Sequence, residues 1–244
     1  MTELIINLEP KPMENHLQEL YSLVKNTILF ASISAIGWSI VSPQLLTDWV
    51  NLFSIADNID QLSIYSPFNW IEVKWSFSIM MGITTAFPLF SVMLYRFSKP
   101  GLYPNELFPV KIILIANSLL LPFSIFLIWA WGVPYMVKYA NGLSQIENIS
   151  AKYDLFEIVN LALGLTLMAT ISFILTTSLI LSRIIGEVDG IYTWLRPRII
   201  IISFGLFIIM IPSVFEGLRI TLAFVIIYAS DLFARSIPLA GNMN

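Results

Sequence analysis

The stretch PLFSVMLYRFSKPGLYPNE, residues 88–106, decides how this chain is read. It leaves an apolar, helix-length segment through Tyr95 and Arg96, then turns at Lys99-Pro100-Gly101-Leu102-Tyr103-Pro104. A single carboxylate, Glu106, follows just before the next apolar run. Proline and glycine at this density end a helix and make a turn. With helix-length apolar runs on both sides, the turn belongs at a membrane surface, and a carboxylate fixed there is a receptor for cations.

Composition supports the membrane setting. Hydrophobic residues make up 57% of the 244 positions and charged ones 12%, whereas a soluble domain has apolar and charged fractions of about a half and a quarter. The length allows roughly six or seven spans of about 20 residues. Lipid permits only helices or a closed barrel, and long unbroken apolar runs exclude the alternating strands of a barrel. The net charge of −3 says little, because charge in a membrane protein is read by its sidedness. No basic patch suggests nucleic acid.

The absence of cysteine removes disulfides, thiolate metal sites and cysteine nucleophiles together. His16 is the one histidine, so the paired-histidine motif of an intramembrane metalloprotease is missing. The polar residues that a serine or aspartyl membrane protease needs deep in a span are missing too. The expectation is a protein that is not an enzyme and needs neither metal nor cofactor. The first residues lack the basic, apolar and small-residue pattern of a cleavable signal peptide.

Along the chain, residues 1–12 read as an irregular tail. From Met13 to Lys25 the positions Met13, Leu17, Leu20, Tyr21 and Val24 recur at helical spacing, which leaves Glu19 on the far side, toward water or a ligand. A first span is predicted over 26–41, closed by Pro43, and residues 44–69 read as an outer loop with Asp48, Asp57 and Asp60 but no basic residue. Further spans are predicted at about 71–95, 110–137 and 156–181. The third ends in Trp129, Trp131 and Tyr135, which suit the headgroup level. An outer loop around 138–153 precedes the fourth span, and a polar connection over 183–198 follows it. The last two spans, 199–214 and about 220–234, offer only about 15 or 16 residues each, roughly 24 Å of helix against a hydrocarbon core of about 30 Å.

With the N-terminus inside, the inner segments hold nine basic residues and the outer ones four, Lys74, Lys138, Lys152 and Arg219. The reading is therefore an all-α, polytopic protein of six transmembrane helices with both termini cytoplasmic. It forms a single membrane domain over 1–244, in which a tail and amphipathic lead-in helix (1–25) precede six spans (26–235). No internal repeat is visible, which weighs against a transporter built from inverted halves.

Specific residues resemble a known family. His16-Leu17-Gln18-Glu19-Leu20 before the first span is similar to the His-Leu-x-Glu-Leu pattern of the TatC family, the polytopic subunit of the twin-arginine protein translocase. Ser66-Pro67, then Gly82, Pro88, Tyr95, Phe97, Pro100-Gly101-Leu102-Tyr103-Pro104 and Glu106 resemble that family's second span and first cytoplasmic loop. Arg196-Pro197 and Pro212 look like its fifth helix. The resemblance implies a cell-membrane, multi-pass receptor for the twin-arginine signal peptides of folded precursors. Glu19 and Glu106 would bind the arginines, on a loop supported by Pro100, Gly101, Leu102, Tyr103 and Pro104. It also implies TatA/TatB-like single-span subunits as partners and self-association within the complex. The chemistry fits, since a guanidinium is a planar fork whose natural partner is a carboxylate. The chain departs from the family where it usually has an acid or amide in the fourth span, here Leu167 and Met168, and after Pro212, here Ser213. These changes count against a role for a buried carboxylate and leave the surface site untouched.

Other polar positions have plainer readings. Asn117 in the third span and Thr166 and Thr170 in the fourth are expected to pack helices, the rival being a substrate path between these spans in a small secondary transporter. Against that rival, no span carries a charge near mid-membrane. Asn148-Ile149-Ser150 fits the glycosylation acceptor pattern on the outer side. Single cysteines introduced at positions 57 and 148 are expected to react with an impermeant thiol reagent from outside, and those at 102 and 190 only from inside. Outside labelling at 102 would overturn the assignment of Glu106.

Overall fold

The computed structural model describes residues 13–53, 62–63, 66–143, 153–186 and 191–236. The tail over 1–12, Asp57, Asp60 and Asn148 lie outside the described residues. Six helices are long and apolar enough to cross a membrane, as expected. Several boundaries differ from the sequence reading, and each difference has a physical cause.

Helix α1 runs unbroken from Met13 to Val50, so the lead-in helix and first span are one element and Pro43 does not close it. A proline inside a helix deprives the carbonyl four residues earlier of its donor. Here that carbonyl belongs to Ser39, and the buried Ser42 hydroxyl donates to it at 3.2 Å. Leu46, Trp49 and Phe53 beyond the proline are buried in the core, which rewards continuing the helix. Asp48 therefore sits on a helix and not in a loop. The lead-in stripe of Leu17, Leu20, Tyr21 and Val24 is exposed on the protein, whereas Leu23, one helical turn after Glu19, is buried.

Helix α2 spans Pro67–Ser98. Ser66 caps it by accepting the Phe68 N–H at 3.3 Å, and Pro67 occupies the first turn, where a missing N–H costs nothing. The third span comprises α3 (Leu107–Leu127), a π-helical turn (Ile128–Gly132) and α4 (Val133–Leu143), which runs into the predicted loop. Asp154 caps α5 (Leu155–Gly186) by accepting the Phe156 N–H at 3.0 Å. Two short parallel strands, β1 (Leu62–Ser63) and β2 (Tyr153–Asp154), tie the α1–α2 connection to the start of α5. Helix α6 (Ile191–Met210) begins eight residues before the predicted span, so most of the supposed 183–198 connection is helical. A 3₁₀ stretch, Ser213–Leu218, leads into α7 (Arg219–Ser236).

Successive crossings bring the start of α1, the 99–106 turn, the end of α5, the start of α6 and the end of α7 to one end of the bundle, here called the turn end. Helix α5 touches α2, α3, α6 and α7. Close approach between helices is made by glycine. A Cβ on Gly82 would lie 2.7 Å from the Ala31 carbonyl oxygen, and one on Gly164 would lie 2.3 Å from Cγ of Pro212.

The contact of Gly164 with Pro212 bears on the short spans. At 20 and 18 residues, α6 and α7 are longer than the predicted apolar stretches, because polar residues extend both at the turn end. Their hairpin tip nevertheless meets α5 at Gly164, nine residues from its start, or about 14 Å along the helix.

At the opposite end one hydrogen-bonded chain joins three helices. In the π turn the Val133 N–H goes to the carbonyl of Ile128, and Pro134 has no N–H to give. The Trp129 carbonyl is thus left without a backbone donor. The Trp49 indole supplies one at 2.7 Å, and both rings are buried with centroids 4.8 Å apart. Trp129, expected with Trp131 and Tyr135 at the headgroup level, points inward instead. Its own indole donates to the Thr166 hydroxyl at 2.9 Å, which in turn donates to Ala162 at 2.7 Å. Trp131 and Tyr135 are exposed as expected.

Replacing Trp49 with Phe keeps the ring and removes the donor. The orphaned carbonyl should cost about 1–3 kcal/mol, read as a lower midpoint of thermal unfolding in detergent. In a Pro134→Ala background, which restores an N–H near that carbonyl, the loss from Trp49→Phe should shrink. An equal loss in both backgrounds would refute this account of the π turn.

Candidate functional site at the turn end

Arg96 ends the last turn of α2, and a 3₁₀ turn over Lys99–Gly101 redirects the chain. Leu102 is extended, with φ −98° and ψ 140°, and its N–H reaches the Lys99 carbonyl at 3.4 Å. Glu106 then closes the loop from both sides. Its backbone N–H donates to the Tyr103 carbonyl at 2.9 Å, while its Oε2 accepts the Tyr103 N–H at 2.9 Å. This reciprocal pairing over three residues is the logic of a capping box. Its effect is to hold Pro104 and Asn105 in a fixed turn before α3.

Glu106 was expected as a surface carboxylate, and in the structure its residue is only 7% exposed. It folds back against its own loop because the Tyr103 N–H, in the turn between α2 and α3, needs an acceptor, and Oε2 is the one that it finds. Oε2 is occupied by the turn, and Oε1 accepts no hydrogen bond among the described residues. Around it Lys99, Pro100, Gly101, Tyr103, Pro104 and Asn105 are exposed, and Leu102 is half-buried. The loop can therefore offer one carboxylate oxygen, held in place, to a donor that approaches along an accessible rim.

Glu19 lies at the same end, on α1. Its side chain is 40% exposed, with Oε2 3.9 Å from Nδ1 of His16 one turn earlier. The helical position that it shares with the buried Leu23 turns it toward the bundle and away from the exposed apolar stripe. The two carboxylates thus belong to one end and differ in setting, one half-exposed and one buried.

Of the interior polar residues, Thr166 and Asn117 join helices and Thr170 bonds within its own. Thr166 is fully buried within the Trp129 chain, and Thr170 donates back to the Thr166 carbonyl at 2.8 Å. Asn117 donates to the Thr177 hydroxyl, joining α3 to α5. Asn117 and Thr177 border a largely apolar, partly open cavity of about 550 Å³ between these helices, which Phe233 of α7 also lines. Met168 is buried among apolar side chains.

One group escaped the sequence reading. Asp231 on α7 is 6% exposed and accepts a two-point contact from Arg196, Nε to Oδ1 at 2.9 Å and Nη2 to Oδ2 at 2.6 Å. Arg235 adds a contact at 3.0 Å. Arg183 of α5 donates to the last carbonyls of α7, Ala234 at 2.9 Å and Arg235 at 2.6 Å. A buried carboxylate thus does act here, as a clamp between α6 and α7. The available signal was an acid inside an apolar segment, which calls for a partner by default.

Among solved structures the fold matches two crystal structures of the twin-arginine translocase receptor TatC. The first has a TM-score of 0.68 and 19% identity over 90% of this chain and 97% of the other. The second, in the detergent DDM, has a TM-score of 0.67 and 18% identity over 90% and 99%. No curated protein sequence matches. The family described as Sec-independent protein translocase protein (TatC) matches residues 15–222. That match runs from the lead-in residues of α1 into α7, and the chain therefore belongs to the TatC family, as a multi-pass cell-membrane subunit of the twin-arginine translocase.

Proposed function

We propose that the chain receives twin-arginine signal peptides of folded precursor proteins at its cytoplasmic face, with Glu19 and Glu106 accepting the two guanidinium groups. The observation that carries this reading is the Glu106 carboxylate, which closes its own turn through Oε2 and keeps Oε1 clear of protein donors among the described residues. Glu19 at the same end supplies the second acceptor. A guanidinium stays charged and carries five donors in a plane, so two separate carboxylates suit two adjacent arginines. The nine-to-four distribution of basic residues supports a cytoplasmic turn end and cytoplasmic termini. Residues 1–244 act as one membrane domain.

Assembly with TatA/TatB-like single-span subunits, and with further copies of the chain, completes the proposal. It is supported by the α6–α7 hairpin, which meets α5 through Pro212 about 14 Å along from the start of α5. A bilayer at that hairpin must thin, or neighbouring helices must cover it.

Glu106→Gln is a discriminating substitution because the amide oxygen still accepts the Tyr103 N–H, so charge is lost and the turn is kept. Glu19→Gln removes charge and keeps the shape of the side chain. Charge-assisted hydrogen bonds are worth about 1.5 to 3 kcal/mol when sheltered, reduced here by solvent to roughly 1 to 2 kcal/mol each. Each variant should therefore bind a twin-arginine peptide about five- to thirtyfold more weakly. Against a peptide with glutamines in place of the arginines, the losses should largely vanish. Equal losses for both peptides would show that the carboxylates act on loop structure alone, and full binding by the double variant would remove them from the site.

A further inference from the structure

We propose that the start of α6 is a binding site for the phosphodiester headgroup of an anionic phospholipid, with Arg196 and Arg198 as its ligands. A surface groove of about 430 Å³ is lined by Tyr192, Thr193, Arg196, Pro197, Ile200 and Ile201. Its polar end carries the guanidinium of Arg196, whose side chain is 31% exposed. Two of the five donors in that fork go to Asp231, and the others face no acceptor among the described residues. The Asp231 contact fixes the fork, so a ligand oxygen meets donors already in position.

Arg198 extends the site. Its Cζ lies 3.2 Å from the centroid of the Trp194 ring, which is 58% exposed. An arginine stacked this way keeps its N–H edge outward while its face is covered. Tyr192 and Trp194 mark the depth of the headgroups, one to two turns before the apolar stretch that begins at Ile199. Below them Ile201 and Ile202 are 69% and 65% exposed and run toward the membrane interior.

This gradation selects the ligand. An apolar partner helix in the groove would bury the free donors of Arg196 without acceptors, a costly arrangement in lipid. A free phosphate would leave Pro197, Ile200 and Ile201 without a counterpart. A lipid phosphodiester meets both halves, its oxygens on the guanidiniums and its acyl chains along the isoleucines. A zwitterionic lipid would bring its own cation beside the two guanidiniums, so an anionic headgroup is preferred.

The test is native mass spectrometry of the full chain, released from micelles containing equimolar phosphatidylglycerol and phosphatidylcholine. The wild type should retain phosphatidylglycerol in preference. Arg198→Gln, which leaves the Asp231 clamp whole, and Arg196→Lys, which keeps its charge but loses the fork, should each reduce that retention about fivefold. Equal retention of the two lipids, or unchanged preference in both variants, would overturn the proposal. So would displacement of the lipid by inorganic phosphate at equal concentration, because a free anion would then suffice.

Discussion

The carbonyl of Trp129 has no backbone donor, and in a membrane it cannot turn to water. An unsatisfied backbone group in hydrocarbon costs several kcal/mol. Pro134 and the π turn before it create this need, and the Trp49 indole meets it. From that requirement follow the extension of α1 past its proline, the inward turn of Trp129, and the commitment of Thr166 to the joint between the third span and α5. Three helices are thereby tied at the end away from the functional turn. The same rule operates at Pro43, where Ser42 serves the carbonyl of Ser39.

The two ends of the bundle solve different problems. The end near Trp129 is joined by buried aromatic rings and indole hydrogen bonds. The turn end is joined by charge, through Arg183 on the last carbonyls of α7 and the Arg196–Asp231 clamp. Breaking a largely buried pair of this kind is costly, although replacing it whole by apolar residues often is not. Its value is therefore specificity of placement as much as stability. It fixes where α6 and α7 end relative to α5, at the level where headgroups and charged ligands are found. Glu106 does the same for the loop between α2 and α3.

What the sequence disclosed and what it hid divide along physical lines. Six spans were legible because helix-length apolar runs have no other use in a chain of this composition. The 99–106 turn was legible from its prolines and glycine, and the family from the residues around it. The end of the first span was misjudged because a proline stops a helix only where its freed carbonyl finds no other donor, and Ser42 is that donor. The start of α6 was misjudged because Arg196 and Arg198 read as a polar connection, whereas one grips Asp231 and the other stacks on Trp194. The burial of Glu106 depends on a side chain reaching back to Tyr103, and a tyrosine at that place is not a residue that the capping-box pattern names. Asp231 was passed over because its partner lies 35 positions away.

The account turns on where the arginine pair docks. A photo-crosslinking residue placed singly at the exposed positions Gln18, Tyr103 and Trp131, then probed with a radiolabelled twin-arginine signal peptide, asks this directly. Adducts from both Gln18 and Tyr103, lost when the two arginines become glutamines, and none from Trp131 at the opposite end, are the predicted result. Adducts from Trp131, or adducts at Gln18 and Tyr103 that persist with the glutamine peptide, would contradict it.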